Sequence, residues 1–483
     1  MRWYEASFDC CLMASIVIFG CVSAGAQSAP PTHDRPWTSP FEQQIRTQNQ
    51  SVALPKFTVD PNKAYSLPEL VDLAQQHNPE TRFAWERAKA QAAALGIAKS
   101  ELYPVLGAIV SGEADRSGLL FDTSYVRQTT TTSELAVELN YTILDFGRRS
   151  ARIRQEAAKL VATDFGFNDT HRKVIYQVEQ AYYRVLSTTA QQQAAEANLA
   201  NAKAVQEAAQ DRLDHGLATR PDLLEAQSAT AQAQFDLQSA MGAKETARGD
   251  LAAAIGTSAS VEVNIEPITS LTTPDSLADS AEQLIDRALQ QRPDLLQQVA
   301  NLRAQEAATK EARAAYYPKL SAGVLAGQQY LYGFQEQFPA TDTSLFAGSA
   351  ALTLNWTIFD GGARRSAVAQ AEANTRATTA QINSTRNQIA DEVWRAYSNV
   401  KTAFRQREAA TALLQSAQES YNAALEAYNY GVRNLLDVTN AQRVLAQARS
   451  TDITARTQVL TTLAELAFRT GDLLHAGAKP GKP

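Results

Sequence analysis

The chain has 483 residues, 45 basic and 51 acidic side chains, a formal net charge of −6 and 45% hydrophobic residues. This mild acidity argues against a nucleic-acid partner, which needs a basic face. All three cysteines, Cys10, Cys11 and Cys21, fall near the N-terminus, which excludes a disulfide, a thiolate nucleophile and a cysteine metal site from the rest of the chain.

Leu12 to Val22 is an apolar run of about 11 residues, the size of a signal-peptide core and too short to span a bilayer. Ala24-Gly25-Ala26 behind it reads as a cleavage site, so residues 1–26 are expected to be a signal peptide. The competing reading takes Ile18-Phe19-Gly20-Cys21 as a lipoprotein box with Cys21 acylated. No later stretch approaches about 18 apolar residues, so any membrane crossing must be made by strands. Residues 27–63 form an N-terminal segment ahead of the first periodic pattern.

From there the sequence is written twice. Asn78-Pro79-Glu80 recurs as Arg292-Pro293-Asp294, Leu102-Tyr103-Pro104 as Tyr316-Tyr317-Pro318, and Leu144-Asp145-Phe146-Gly147 as Phe359-Asp360-Gly361-Gly362, at an offset of 214 to 215 residues. The offset persists from Gly216 and Asp222 to Gly431 and Asp437. Two equivalent repeats are expected over 64–256 and 278–470, joined by a connector over 257–277 with Pro267 and Pro274, and followed by a tail over 471–483.

Each repeat is predicted to open with a helix of about 25 residues that starts at the first proline, a good first helical position, and ends before the next. Alanine- and glutamine-rich stretches with few prolines make the whole mainly helical. Two alternating segments follow, expected as strands over about 104–115 and 133–144, and over about 318–329 and 347–359. Leu106, Ala108 and Val110 share a face, as do Leu320, Ala322 and Val324. Leu135, Val137, Leu139, Tyr141 and Ile143 share another, matched by Ala350, Leu352, Leu354, Trp356 and Ile358, while Glu134, Glu138, Asn140 and Thr142 face the other way. Residues 116–131 and 331–345, with Thr129 to Thr132, Tyr330, Tyr332 and Phe334, are expected as extracellular loops. Tyr141 and Trp356 suit either an aromatic girdle or packing against helices.

Beyond the strands, Gly147 to Gly216 and Gly362 to Gly431 read as helix for nearly 70 residues, about 100 Å at 1.5 Å per residue. The third helices, Thr219 to Ile255 and Asn434 to Phe468, are about half as long, so short helices are expected to stack end to end beside each long one. Val174, Val178, Ala181 and Val185 recur at helical spacing, and the rest of the stripe is largely alanine, which suits helices packed side by side in a wall.

Four strands with one apolar face cannot close a barrel, and an open edge is not tolerated in lipid. Two copies would give eight strands with a filled interior, whereas three give twelve and can leave a lumen. The expected fold is therefore mainly α with a β-barrel: a long α-helical barrel continuing a twelve-stranded transmembrane β-barrel, built by a homotrimer with four strands per chain.

These features resemble the TolC-like outer-membrane efflux proteins over nearly the whole mature chain. The carriers are Arg292-Pro293-Asp294-Leu295, Tyr317-Pro318, the run Asn355-Trp356-x-x-Phe359-Asp360-Gly361-Gly362, and the paired Gly216 and Gly431 turns. The resemblance implies a trimer set in outer-membrane lipid with a tunnel reaching into the periplasm. It implies docking to a periplasmic adaptor, the membrane fusion protein, and to an inner-membrane pump that supplies the energy. An equatorial belt would come from the N-terminal segment, the connector and the tail.

Function is expected to concentrate at the periplasmic tip. Gly216 and Gly431 end the long helices as glycine caps, and Thr219-x-x-Asp222 and Asn434-x-x-Asp437 restart helices with an N-cap and an acid at N3. By the resemblance, Asp437 matches the first of two acidic rings that narrow the tunnel, and Asn440 matches the second, halving the ring charge. Arg433 and Tyr428 match positions that tie neighbouring helices shut, while Pro221 replaces the polar residue expected beside Asp222. Three Asp437 side chains converging on the axis would favour cations at the closed end; a purely capping role is the alternative.

The five histidines, His33, His77, His171, His215 and His475, make no ligand or triad spacing, and no phosphate loop occurs. Asp145 with Arg148 and Asp360 with Arg364 read as ion pairs at strand-to-helix corners. No enzyme activity, cofactor or metal is expected. The function expected is a passive exit duct for small molecules and drugs in a tripartite efflux system. The alternatives are the exit duct of a type I protein secretion system and a periplasmic coiled-coil adaptor or scaffold.

Overall fold

The computed structural model describes residues 45–49, 59–60, 63–121, 124–266, 277, 279–335 and 338–473. The expected leader with Cys21, most of the N-terminal segment, the centre of the connector and most of the tail lie outside the described residues. The chain forms two units, residues 1–57 and 58–483. In the first, residues 45–49 are helical. The second holds every element below.

In chain order these are β1 (Ala64–Tyr65), α1 (Leu67–His77), α2 (Pro79–Ser100), β2 (Val105–Phe121), β3 (Ser124–Leu144), α3 (Arg148–Asp214), α4 (Arg220–Ile255), β4 (Asn264–Ile265), α5 (Ala281–Gln291), α6 (Pro293–Ala314), β5 (Lys319–Gln335), β6 (Phe338–Asn355), α7 (Ala363–Asn429) and α8 (Leu435–Thr470). Both long helices run for 67 residues. The short α1 and α5 are not part of the sequence expectation, although Ser66 with Glu69 and Ser280 with Gln283 form capping boxes that announce them.

The long helix α3 packs on α2, α4, α6 and α8, and α7 packs on α6 and α8. The pairs α2 with α4 and α6 with α8 therefore make composite columns flanking α3, with α7 beyond the second. Each column is joined end to end at a glycine. At the first joint Gly256 has φ +92° and caps α4, while Asn78 Nδ2 donates to the Ala254 carbonyl at 2.9 Å. At the second Gly471 has φ +89° and caps α8, and Arg292 donates to the Arg469 carbonyl at 3.4 Å. The second joint is also charged. Arg292 pairs with Asp294 at 2.6 Å and Glu392 at 2.7 Å. Nearby Arg172, only 1% exposed, pairs with Asp169 at 2.6 Å, donates to the Phe468 carbonyl at 2.9 Å and lies over its ring. Buried Leu284, Leu295, Ile389, Val393 and Leu466 pack the helices below this joint into one core.

The strands form an antiparallel sheet in the order β2-β3-β5-β6. They run further than alternation predicts, for 17, 21, 17 and 18 residues. The described parts of 116–131 and 331–345, expected as loops, instead extend the sheet: Thr131 lies opposite Tyr332 and Thr129 opposite Phe334. Threonine and aromatic residues suit a pleated ladder even without an apolar-polar alternation to mark it. At the other end β6 stops at Asn355, so Trp356 and Ile358, expected in the strand, lie in the following corner. The drift from 214 to 215 residues has a structural seat. Gly333 lies opposite Thr341 but Gln335 opposite Phe338, so β6 carries one extra residue beside Pro339, which has no N–H to give a ladder. At Gly327 an added Cβ would collide with the Leu135 carbonyl oxygen and Ala136, so only glycine permits the close approach of β3 and β5.

Candidate functional site: a lipid-facing sheet and two helical tips

Cross-strand register gathers the apolar residues into rows. Leu106, Leu139, Val324 and Ala350 stand side by side, as do Ala108, Val137, Ala326 and Gly348, and Val110, Leu135, Gln328 and Phe346. Tyr141, Ala322 and Leu352 make the next row towards the helices. Leu106, Val110, Leu135, Phe346, Leu352 and Leu354 are all exposed in the single chain, a continuous apolar face that water would not favour. From Leu320 to Tyr330 the face climbs about 34 Å along the strand, or about 25 Å vertically at a tilt near 40°, the height of an outer-membrane barrel's apolar band. Alternation places Glu113, Asp115, Glu134 and Glu138 on the opposite face. Among the described residues the outer edges of β2 and β6 are unpaired, so the sheet of one chain is open on both sides.

Aromatic rings collect where strands meet helices. Phe146 stacks on Tyr317 at 5.3 Å, Trp356 donates its indole N–H to the Tyr316 carbonyl at 3.2 Å, and Arg149 and Arg364 lie over Tyr141 and Tyr316. The rings of Tyr141 and Trp356 thus sit at the edge of the apolar band and are tied to the helical side as well. Asp360 accepts from the backbone N–H of Arg364 at 3.0 Å and from its Nε at 2.7 Å. The Arg364 guanidinium holds the Asp360 carboxyl below its ordinary range. In the first repeat the partner of Asp145 is Arg149, at 2.9 Å, and not Arg148, which instead lies 3.9 Å from Glu311. After the left-handed Gly147 only the i+4 residue points back over the aspartate.

At the opposite end, both hairpins turn on left-handed glycines, Gly216 with φ +71° and Gly431 with φ +75°. Leu217 N–H donates to the Arg212 carbonyl at 2.7 Å and Val432 N–H to that of Ala427 at 2.9 Å, closing the last turn of each long helix. Asp222 accepts from Thr219 N–H at 2.8 Å and Oγ1 at 2.6 Å, and these bonds hold its carboxyl below the usual range. Asn434 Oδ1 accepts from the Asp437 N–H at 3.0 Å. The Asp437 carboxylate itself is half-buried, 3.9 Å from Arg433 Nη1. Asn440 accepts from Arg443 at 3.4 Å on the next turn of α8.

The structure thus brings Arg433, Asp437 and Asn440 together at the head of α8, whereas Asp222 is occupied within its own hairpin. Tyr428 is 5% exposed, and its hydroxyl has no hydrogen-bond partner among the described residues. Its ring lies under the Arg212 guanidinium at 4.5 Å, and its carbonyl accepts from Arg212 Nη1. Arg212 is the tip residue that sequence reasoning misses: it sits in the last turn of α3, and its partner is 216 residues away, so no local spacing reveals it. Thr439 Oγ1 donates to Glu225 at 3.0 Å, a second brace between the hairpins. Leu217, Tyr430 and Val432 are exposed on the turns.

Between tip and sheet the helical wall mixes polar side chains with paired charges. A groove of about 650 Å³ between α3, α4 and α8 is lined by Gln177, Gln180, Ser187, Thr457 and Gln458, with Arg184 paired to Asp250 at 2.7 Å. Among the described residues no group of His, Cys, Asp and Glu could hold a metal ion.

Comparison with known proteins follows this architecture. The model of the outer membrane efflux protein family matches residues 70–257 and 284–472, one match per repeat. Protein CyaE of Bordetella pertussis is 27% identical over 414 residues, covering 84% of either chain. Outer membrane protein OprJ of Pseudomonas aeruginosa is 25% identical over 435 residues, covering 87% of this chain and 88% of its own. The crystal structure of a membrane protein from Pseudomonas aeruginosa shares the fold with a TM-score of 0.74 at 24% identity, covering 92% of this chain and 100% of its own.

Proposed function

We infer the working of this chain from its kinship: it belongs to the outer membrane efflux protein family, and it is accordingly a channel that crosses the outer membrane, reaches into the periplasm and passes the cargo of an efflux system. The duct is passive. Three copies close it, each giving four strands to a twelve-stranded barrel and four helical columns to the tunnel. A periplasmic adaptor docks at the tips, where Leu217, Tyr430 and Val432 offer apolar contacts, and an inner-membrane pump supplies the energy. The carrying observation is a sheet with one continuous apolar face and two unpaired edges, which lipid does not tolerate in an open form. The glutamine- and threonine-rich groove, whose Arg184 and Asp250 offset each other, suits a conduit for diverse small molecules, because it selects for no single charge or shape.

At the periplasmic end Asp437 is the gate charge and Arg212, Tyr428 and Arg433 are the braces. Three half-buried carboxylates converging on a narrow axis focus a negative potential and favour cations. Planar-bilayer conductance of the purified oligomer, with its mass determined on the same sample, tests the reading. A trimer with discrete conductance is expected. A water-soluble monomer without membrane-embedded β structure overturns it.

A further inference from the structure

Apart from Lys319 at the foot of β5, which shares the face of the acids, and Asp342, the charges of the four strands are sorted by face. On β2 and β3 the face that carries the lipid-directed rows continues upward through Gly112 and Ser133, Ala114 and Thr131, Arg116 and Thr129, then Gly118 and Arg127. Across β5 the same rows carry Tyr330, Tyr332 and Phe334. Arg116 therefore stands level with Phe334, and Arg127 one row above it. Both arginines are exposed. The acids Glu113, Asp115, Glu134 and Glu138 all point to the other face, and Asp342, level with Tyr332, is the single acid of the described strands on the lipid-directed face.

Depth gives this sorting a meaning. Tyr330, Tyr332 and Phe334 mark the upper edge of the apolar band, where aromatic girdles lie. Two residues along a tilted strand raise a side chain by about 5 Å and the tilt shifts a row by about 3 Å per strand crossed, so Arg127 stands about 7–13 Å above Tyr332 and Arg116 up to about 11 Å above it, in the region where the headgroup layer borders the hydrocarbon. An exposed guanidinium on this face lies near the level of lipid phosphates, and its five donors allow it to hold a phosphate while keeping a contact within the chain. Barrel arginines carry little penalty near the interface, unlike at the midplane.

We propose that Arg116 and Arg127 bind the phosphate groups of a phosphorylated glycolipid in the outer leaflet, so that each copy carries its own lipid clasp on the outer wall of the barrel. The inference rests on the barrel reading above. Sign segregation then serves two purposes at one height: carboxylates line the lumen and guanidinium groups hold the surrounding lipid.

The test uses the full-length protein in detergent, with bisphosphorylated lipid A and its dephosphorylated form as probes, and native mass spectrometry to count retained lipid. At about fivefold per arginine near a charged lipid surface, wild type is expected to retain the bisphosphorylated form at least tenfold over the other. The Arg116→Gln/Arg127→Gln protein is expected to lose that preference, while Arg395→Gln, on α7 with its partner Asp391, keeps it. Equal retention of the two lipids by wild type, or an unchanged preference in the double variant, overturns the proposal. Bilayer conductance of the same samples separates the two readings. A conducting wild type without lipid preference sinks the clasp alone, whereas a wild type that neither conducts nor inserts sinks the barrel reading and the clasp with it.

Discussion

Replacing Gly256 by alanine probes the joint that lets two short helices serve as one column. Gly256 and Gly471 cap α4 and α8 at nearly the same φ, +92° and +89°, so the backbone penalty for a Cβ, about 1–2 kcal/mol, is shared by the two sites. Their surroundings differ. At Gly256 the new Cβ would lie 2.9 Å from Asn78 Cα and 3.1 Å from the His77 carbonyl oxygen, both backbone atoms that cannot rotate away. At Gly471 its nearest neighbour would be Arg292 Cγ at 3.6 Å, an ordinary contact. Overpacking against a fixed backbone costs about 1–3 kcal/mol, and this is the expected excess of Gly256→Ala over Gly471→Ala. Urea unfolding of the detergent-solubilised protein, followed by far-UV circular dichroism, measures the difference. Equal loss at both sites would show that the first joint yields freely and that end-to-end contact does not hold the column straight.

Four further outcomes are expected. Asp437→Asn should lower the cation preference of the closed channel in bilayers, and unchanged selectivity would leave Asp437 a capping residue only. Arg212→Ala removes a hydrogen bond and a ring contact worth together about 1–3 kcal/mol, so its resting conductance should rise, while Arg184→Ala, in the wall, should not raise it. Glu179 is half-buried, one of its oxygens has no partner among the described residues, and burial raises its pKa to about 7. An acid whose folded pKa is raised opposes folding above its unfolded value. Glu179→Gln should therefore be neutral at pH 4, gain stability as pH rises from about 4.5 to 7, and be up to about 3 kcal/mol more stable at pH 8 in urea titrations. Asp222 has the opposite sign. Its depressed pKa adds stability that is present above the unfolded value near 4 and lost as pH falls further, so the urea midpoint should drop more below pH 4 in wild type than in Asp222→Asn.

Much of this architecture is legible because it repeats. Paired prolines locate α2 and α6, and paired glycines locate the tips, since left-handed turns and first-turn positions admit few alternatives. The strands are legible only where one face meets hydrocarbon. Above the band polar and apolar residues mix on both faces, alternation disappears, and residues 116–121 and 124–131 read as loops although they continue the ladder. At the tip the cap residues Thr219, Asp222, Asn434 and Asp437 announce themselves by local spacing. Arg212 and Tyr428, or Arg172 and Asp294, meet only through the packing of distant helices, and no spacing encodes them.

The duplication also fixes what one chain leaves unpaired. Within the chain, the second strand of repeat one, β3, pairs with the first strand of repeat two, β5, with Leu139 opposite Val324. The equivalent unmade pairing joins β6, the second strand of repeat two, to β2, the first strand of repeat one, in a neighbouring copy. Shifting both partners by the repeat offsets of 215 and 214 residues places Leu354 opposite Val110 of that copy. Directly opposite antiparallel residues have Cα atoms about 4.5–5.5 Å apart, within the span of a disulfide. No cysteine follows Cys21, so introduced pairs have no competitors in the remaining sequence. A Val110→Cys/Leu354→Cys chain should therefore crosslink on mild oxidation into a covalent ring of three that survives boiling in detergent. The displaced pair Val110→Cys/Ala350→Cys, about 14 Å out of register by strand rise, should remain monomeric. Crosslinking of the displaced pair instead would mean that copies meet in a register the internal repeat does not dictate, and the inference from one interface to the other would fail.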